Sequence, residues 1–182
     1  MNVPNALTLV RIILIPVFVL FYVFQIPDWN LWAAIVFIAA SVTDLLDGYL
    51  ARKWNQITDF GKLMDHMADK LLVLAALLIL QDWNIIPFWV TLVLLAREFI
   101  ISAFRMIAVS KGKVIAADMS GKLKTVCQMV ALALLLLNGW FFGMFGIAWF
   151  DNMLGMILIY ISVALSVISC ILYFKKNKGV LE

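Results

Sequence analysis

Four aspartates are the first residues in this sequence that could do chemistry. Asp44 and Asp47 stand three positions apart and Asp65 and Asp69 four apart, in the window DLLDGYLARKWNQITDFGKLMDHMAD between long apolar runs. At about 100° per residue the first pair lies roughly 60° apart around a helix and the second roughly 40°, so each pair occupies one helix face. Their neighbours are small. Gly48 and Ala51 continue the Asp44 stripe, and Gly61 and Ala68 accompany Asp65 and Asp69, which leaves room for a ligand where a packing stripe would carry Leu. Ionised carboxylates converging at the edge of an apolar region repel one another and lose hydration, a cost that something positive must offset. Arg52 and Lys62 are near in sequence, but two side chains cannot satisfy four carboxylates, whereas divalent cations can. No Cys or His stands at ligand spacing, and an all-oxygen donor set favours hard ions, Mg²⁺ first and Mn²⁺ or Ca²⁺ next. Two ions match the charge, and paired ions suit in-line displacement at phosphorus. Asp59, the remaining aspartate of the window, reads as solvated or as a helix cap, and the alternating acidic spacing of an EF-hand is absent. The plainer alternative, solvated acids at helix ends beside a basic loop, suits one aspartate better than four on small-residue faces.

The elements that must position these acids are apolar helices. Of 182 residues 65% are hydrophobic and 14% charged, with a mean hydropathy of +1.05. That is too apolar for a soluble domain of this size, and the chain reads as an all-α integral membrane bundle forming one domain over residues 1–182. About 20 mostly apolar residues cross a bilayer, and six stretches qualify: 7–24, 31–52, 63–80, 85–109, 122–138 and 153–174. The breaks are short: QIPDWN, KWNQITDFG, QDWN, KGKVIAADMSG and the less regular GWFFGMFGIAWFDN. Lys and Arg flank the second and fourth breaks and fill the C-terminal tail, while the first, third and fifth breaks carry none. The positive-inside rule therefore predicts cytoplasmic termini and cytoplasmic even-numbered breaks. Asp44 and Asp47 precede the second break and Asp65 and Asp69 follow it, so an antiparallel hairpin brings all four to similar depth near the cytoplasmic surface. The N-terminus lacks a basic region before its apolar run and no cleavage pattern follows, so the first helix is read as retained, with Pro16 kinking it. Cys127 and Cys170 are expected to pack as small apolar residues, Lys70 to snorkel, and Trp140, Phe141 and Phe142 to anchor the outer interface. The absence of an internal repeat disfavours transporter folds built from duplicated halves.

The string Asp44-x2-Asp47-Gly48-x2-Ala51-Arg52-x8-Gly61-x3-Asp65-x3-Asp69, with every fixed position in register, resembles the signature of the CDP-alcohol phosphatidyltransferase family. The six-span layout extends the likeness over nearly the whole chain. The resemblance implies an enzyme that displaces CMP from a CDP-linked donor with an acceptor alcohol at a two-metal site. Three further segments, VPNALTLVR at 3–11, REFIISAFR at 97–105 and GKLKT at 121–125, are similar to parts of the bacterial phosphatidylglycerophosphate synthase subfamily. That similarity implies CDP-diacylglycerol as donor, sn-glycerol 3-phosphate as acceptor, and phosphatidylglycerol phosphate and CMP as products. One departure is His66, where the subfamily commonly has proline; it is read as a structural or surface residue.

Carried onto matching positions, the resemblance implies that Asp44, Asp47, Asp65 and Asp69 bind two divalent ions and that Asp69 is also the general base. Gly48, Ala51 and Gly61 would admit the nucleotide, Arg52 would add a cation near the diphosphate, and Asn5 and Thr8 would close over the nucleotide or else cap the first helix. A phosphorylated acceptor needs a cationic pocket. Arg105, Lys122 and Lys124 are the leading candidates, with Arg97 and Arg11 next. Lys122 and Lys124 fall about 200° apart on a helix, and contact with anionic headgroups is the competing role for both. Arg97 can instead pair with Glu98. The resemblance further implies a homodimer in the bacterial inner membrane, multi-pass, surrounded by membrane lipids, with the active site near the cytoplasmic face and no nucleic-acid partner. Competing functions are a related transferase using serine or inositol phosphate, a membrane prenyltransferase, and a divalent-cation transporter. A cation transporter has no use for a basic pocket beside a glycine-lined face.

Overall fold

The computed structural model describes the backbone of residues 3–53, 59–111 and 119–177, and side chains over 9–43, at 64, over 67–111, at 121 and over 123–177. The described secondary structure is entirely helical: α1 (Val3–Phe24), α2 (Trp29–Lys53), α3 (Asp59–Asp82), α4 (Phe88–Ser110), α5 (Met119–Leu137), the single turn α6 (Trp140–Gly143) and α7 (Trp149–Lys176). The six long helices fall on the six apolar stretches but run past several of their ends. Hydropathy reports where side chains become polar, whereas a helix continues until a residue breaks its hydrogen-bond ladder. α1 runs through Pro16 as one helix. The turn α6, inside the fifth break, had no periodic signal of its own.

Backbone conformation explains the breaks. Gln25 and Asp28 leave α1 with φ of 44° and 54°, Asn84 follows α3 with φ 58°, and Asn138 follows α5 with φ 48°; Asn and Asp tolerate this left-handed region better than most residues. Gly139 has φ 89°, and a Cβ there would stand 2.9 Å from the Ala148 carbonyl oxygen, so both conformation and space demand glycine. Pro87 is extended and precedes α4, where the preset φ of proline starts a helix without losing a helical hydrogen bond.

The first, third and fifth breaks meet at one end of the bundle. The Tyr22 hydroxyl donates to the Asp82 carboxylate, the Trp29 ring lies 5.2 Å from Tyr22 and 4.1 Å from Trp83 between centroids, and Asn30 Nδ2 donates to the Leu137 carbonyl at 3.4 Å. These are the breaks without Lys or Arg.

The core is shared by all six long helices and contains Phe18, Phe37, Leu72, Leu80, Leu94, Leu132 and Ile159. α5 and α7 pack along much of their length. The buried seam of α7 runs through Gly155, Ile159, Ser162, Ser166, Ser169 and Tyr173, a small-residue spacing that lets helices approach closely. A Cβ on Gly155 would stand 2.7 Å from Leu135 Cγ. Ser162 and Ser169 return their hydroxyls to their own helix, to the carbonyls of Ile159 and Ser166, so these two hydroxyls carry little cost. A smaller cluster of Ile101, Phe104, Ala108 and Tyr173 joins α4 to α7. The outward faces expose large apolar side chains such as Ile13, Val23, Phe88 and Ile171, far more than a water-soluble surface carries. Among the described residues, α7 is by itself long and apolar enough to cross a membrane, and Leu9–Phe24, Trp29–Thr43 and Leu123–Leu137 are shorter apolar stretches.

Candidate active site

The helix order puts the two acidic pairs at facing ends of consecutive helices. Asp44 and Asp47 lie in the last three turns of α2, Asp65 and Asp69 in the first three turns of α3, and α2 packs against α3. The side chains of Asp44, Asp47 and Asp65 lie outside the described residues, as do the side chains or positions of Asn5, Thr8, Gly48, Ala51, Arg52, Gly61, His66 and Lys122. Among the described residues no three of His, Cys, Asp and Glu cluster closely enough to hold a metal. The chemistry of the four-aspartate set itself fits hard divalent ions, since every donor is a carboxylate oxygen.

Asp69 is half-buried and lines a cavity of 180 Å³ between α3, α4 and α5. One part of its wall is polar, carrying Asp69, Lys70, Glu98, Lys124, Thr125 and Gln128; the rest is apolar, from Leu71 and Leu74 on α3 to Phe99 on α4 and Met129 on α5. The polar wall is internally tied. Lys124 Nζ donates to Glu98 Oε1, and Arg97 Nη1 donates to the same oxygen at 3.2 Å. Arg97 Nη2 reaches across to Ser169 Oγ on α7 at 2.9 Å. That arm passes the start of α5, where a Cβ on Gly121 would stand 3.6 Å from it. Thr125 returns its hydroxyl to the Gly121 carbonyl at 3.0 Å. Lys70 Nζ donates to Ser102 Oγ, so this lysine crosses to α4 where snorkelling was expected. Burying Lys124, only 1% exposed, requires an anion or an acceptor beside it, and Glu98 supplies one. Among the described residues, three cations, Lys70, Arg97 and Lys124, are gathered with two carboxylates, Asp69 and Glu98.

The acceptor candidates separate by position. Lys124 lines the Asp69 cavity, and Arg97 stands behind it, coupled through Glu98. Arg105 is exposed on α4 with its Cζ 5.9 Å from the centroid of the Tyr173 ring and does not line the cavity. Arg11 is fully buried in α1 and engaged there. Glu98 and Gln128 are polar residues of this wall that the sequence reading did not assign to the site. The available signal was spacing: Lys124 and Gln128 are four apart in an otherwise Leu-rich helix, hence on one face.

The sequence model of the CDP-alcohol phosphatidyltransferase family matches residues 1–168. The chain is 40% identical over 188 aligned positions to the CDP-diacylglycerol–glycerol-3-phosphate 3-phosphatidyltransferase of Bacillus subtilis, an alignment that covers 97% of this chain and 95% of that protein. It is 49% identical over 142 positions to the protein of the same name from Escherichia coli K12, covering 74% of this chain and 76% of that one. With the aspartate signature carried on α2 and α3 and the match running over most of its length, this chain belongs to the CDP-alcohol phosphatidyltransferase family.

Proposed function

We propose that this chain transfers the phosphatidyl group of CDP-diacylglycerol to sn-glycerol 3-phosphate, giving phosphatidylglycerol phosphate and CMP. The observation that carries the reading is the cavity in which Asp69 of α3 and Lys124 of α5 share one wall: a carboxylate able to take a proton stands in the same small space as a buried cation able to hold a phosphate. The names of the two relatives, one aligned over nearly its whole length, support the same donor and acceptor.

In this reading Asp69 accepts the proton of the acceptor hydroxyl as that oxygen attacks the β-phosphorus of the donor. The new bond forms between phosphorus and the glycerol oxygen, the bond between phosphorus and the bridging oxygen breaks, and CMP leaves with that oxygen. No covalent enzyme intermediate is required. A positioned carboxylate base contributes on the order of 10²–10⁴-fold; geometry and charge neutralisation supply more in phosphoryl transfer. Dependence on a divalent metal is general in the family, and Asp44, Asp47, Asp65 and Asp69 are the residues that would hold two such ions, Mg²⁺ before Mn²⁺. When bound, the ions neutralise the donor diphosphate. Gly48, Ala51 and Gly61 give the nucleotide close access to the backbone, Arg52 adds charge beside the diphosphate, and Asn5 and Thr8 close over it. Lys124 holds the acceptor phosphate, supported by Arg97, with Lys122, Arg105 and Arg11 as further cations. The proposal includes six membrane-crossing helices, α1 to α5 and α7, with both termini and the reaction on the cytoplasmic side of a bacterial inner membrane, and a homodimer as the working unit.

The test is purified protein in detergent with Mg²⁺, CDP-diacylglycerol and labelled glycerol 3-phosphate, followed by CMP release and lipid product, beside serine, inositol phosphate and free glycerol. Label in lipid from glycerol 3-phosphate supports the proposal. Product from serine or inositol phosphate in its place refutes the acceptor, and no CMP with any alcohol refutes the reaction.

A further inference from the structure

Gln128 is 3% exposed and lines the cavity that holds Asp69 and Lys124, yet its Nε2 is buried without a hydrogen-bond partner. Of the buried side-chain polar atoms left unpartnered among the described residues, only this nitrogen belongs to a residue of that wall. A buried amide without a partner is costly, and Leu or Met would pack the site without that cost. Its neighbours one and two turns on, Ala131, Leu132 and Leu135, are fully buried and apolar, so the polar face of α5 ends at Gln128.

Position indicates what the amide is for. Gln128 follows Lys124 by four residues on the same face, about 6 Å along the axis, which is the reach of a three-carbon phosphate. The cavity of 180 Å³ has room for a small polyol phosphate. Glycerol 3-phosphate carries two hydroxyls, of which one reacts.

We infer that Gln128 reads the acceptor: with the phosphate on Lys124 and the reacting hydroxyl toward Asp69, its amide N–H donates to the hydroxyl that does not react. Gln128 thereby selects a polyol phosphate over a phosphate bearing a single alcohol. This rests on the proposed acceptor and adds the residue that discriminates.

The test compares glycerol 3-phosphate with 3-hydroxypropyl phosphate, which lacks the unreacting hydroxyl, in wild type, Gln128→Met and Gln128→Asn. A site built around a hydroxyl leaves its own donor unpaired when that hydroxyl is missing, so wild type should favour glycerol 3-phosphate in kcat/KM by about 10- to 100-fold. In Gln128→Met the ratio should fall to within about threefold of unity, with the KM for CDP-diacylglycerol unmoved. A ratio kept in Gln128→Met, or equal losses toward both acceptors, marks a packing role and overturns the inference. A wild type that does not discriminate overturns it without any variant, so a misfolded substitution does not shield it. Wild type inactive on glycerol 3-phosphate sinks the proposed acceptor as well; activity without discrimination sinks this inference alone.

Discussion

Glu98 offers the sharpest perturbation, because one of its oxygens serves two cations. Lys124 on α5 and Arg97 on α4 both donate to Oε1, and Lys124 has almost no access to water. Removing one partner of a buried ion pair costs about 3–5 kcal/mol, chiefly because the other charge is stranded. Here the Glu98 side chain is 29% exposed, so solvent screens part of the loss, and glutamine keeps a carbonyl oxygen for the lysine. Glu98→Gln should therefore cost about 1–3 kcal/mol of stability. Adding Lys124→Met removes the stranded charge, while Arg97 keeps its bond to Ser169, and the double variant should recover at least half of that loss. Activity should move differently. Glu98→Gln leaves Lys124 less well held and should raise the KM for glycerol 3-phosphate about tenfold, the scale of one charged hydrogen bond, whereas the double variant loses the proposed phosphate contact and should be worse. Thermal unfolding in detergent, read by a thiol-reactive dye at the partly buried Cys127 and Cys170, gives the stability; initial rates of CMP release give the kinetics. If Glu98→Gln melts with wild type, or the double variant is less stable than the single, the shared oxygen is not what keeps Lys124 in the bundle.

Three further outcomes follow from the same geometry. Asp69→Asn removes the proposed proton acceptor while keeping shape, and should lower kcat by at least about 10²-fold with donor binding partly retained; normal turnover would remove the base assignment. Enzyme stripped with a chelator should lose CMP release and regain it with Mg²⁺, with full activity in chelator counting against the metal set. Gly155→Val drives a branched side chain toward Leu135, whose Cγ would lie 2.7 Å from the new Cβ, and should cost about 1–3 kcal/mol through overpacking; an unchanged melting temperature would mean that α5 and α7 can separate freely.

The number, type and order of the long helices were legible because hydropathy and backbone satisfaction act locally. An apolar run of about 20 residues must close its own hydrogen bonds, and QIPDWN, QDWN and the stretch after Leu137 cannot continue one. The two acidic pairs could be set on helix faces for a similar reason: residues three or four apart on one helix share a face whatever the rest of the chain does. Helix ends were less readable. Asp59 and Phe60 begin α3 before its apolar run does, since a polar residue can extend a helix as well as an apolar one.

What the sequence by itself determined is the chemistry within each helix: two acidic pairs with small neighbours, cations gathered at alternate breaks, and a signature that carries the family. Only the tertiary structure decided which side chains from different helices share a space. Lys124 could equally have faced lipid headgroups, and Arg105 looked as good a phosphate ligand. With α5 packed on α7, α2 and α3, Lys124 faces inward onto Glu98 of α4, Gln128 reaches the Asp69 cavity, and Arg105 stands against Tyr173, off the cavity lining. The physical reason is that periodicity sets angles around one axis, while the rotation and depth of one helix against another depend on how side chains remote in sequence interdigitate.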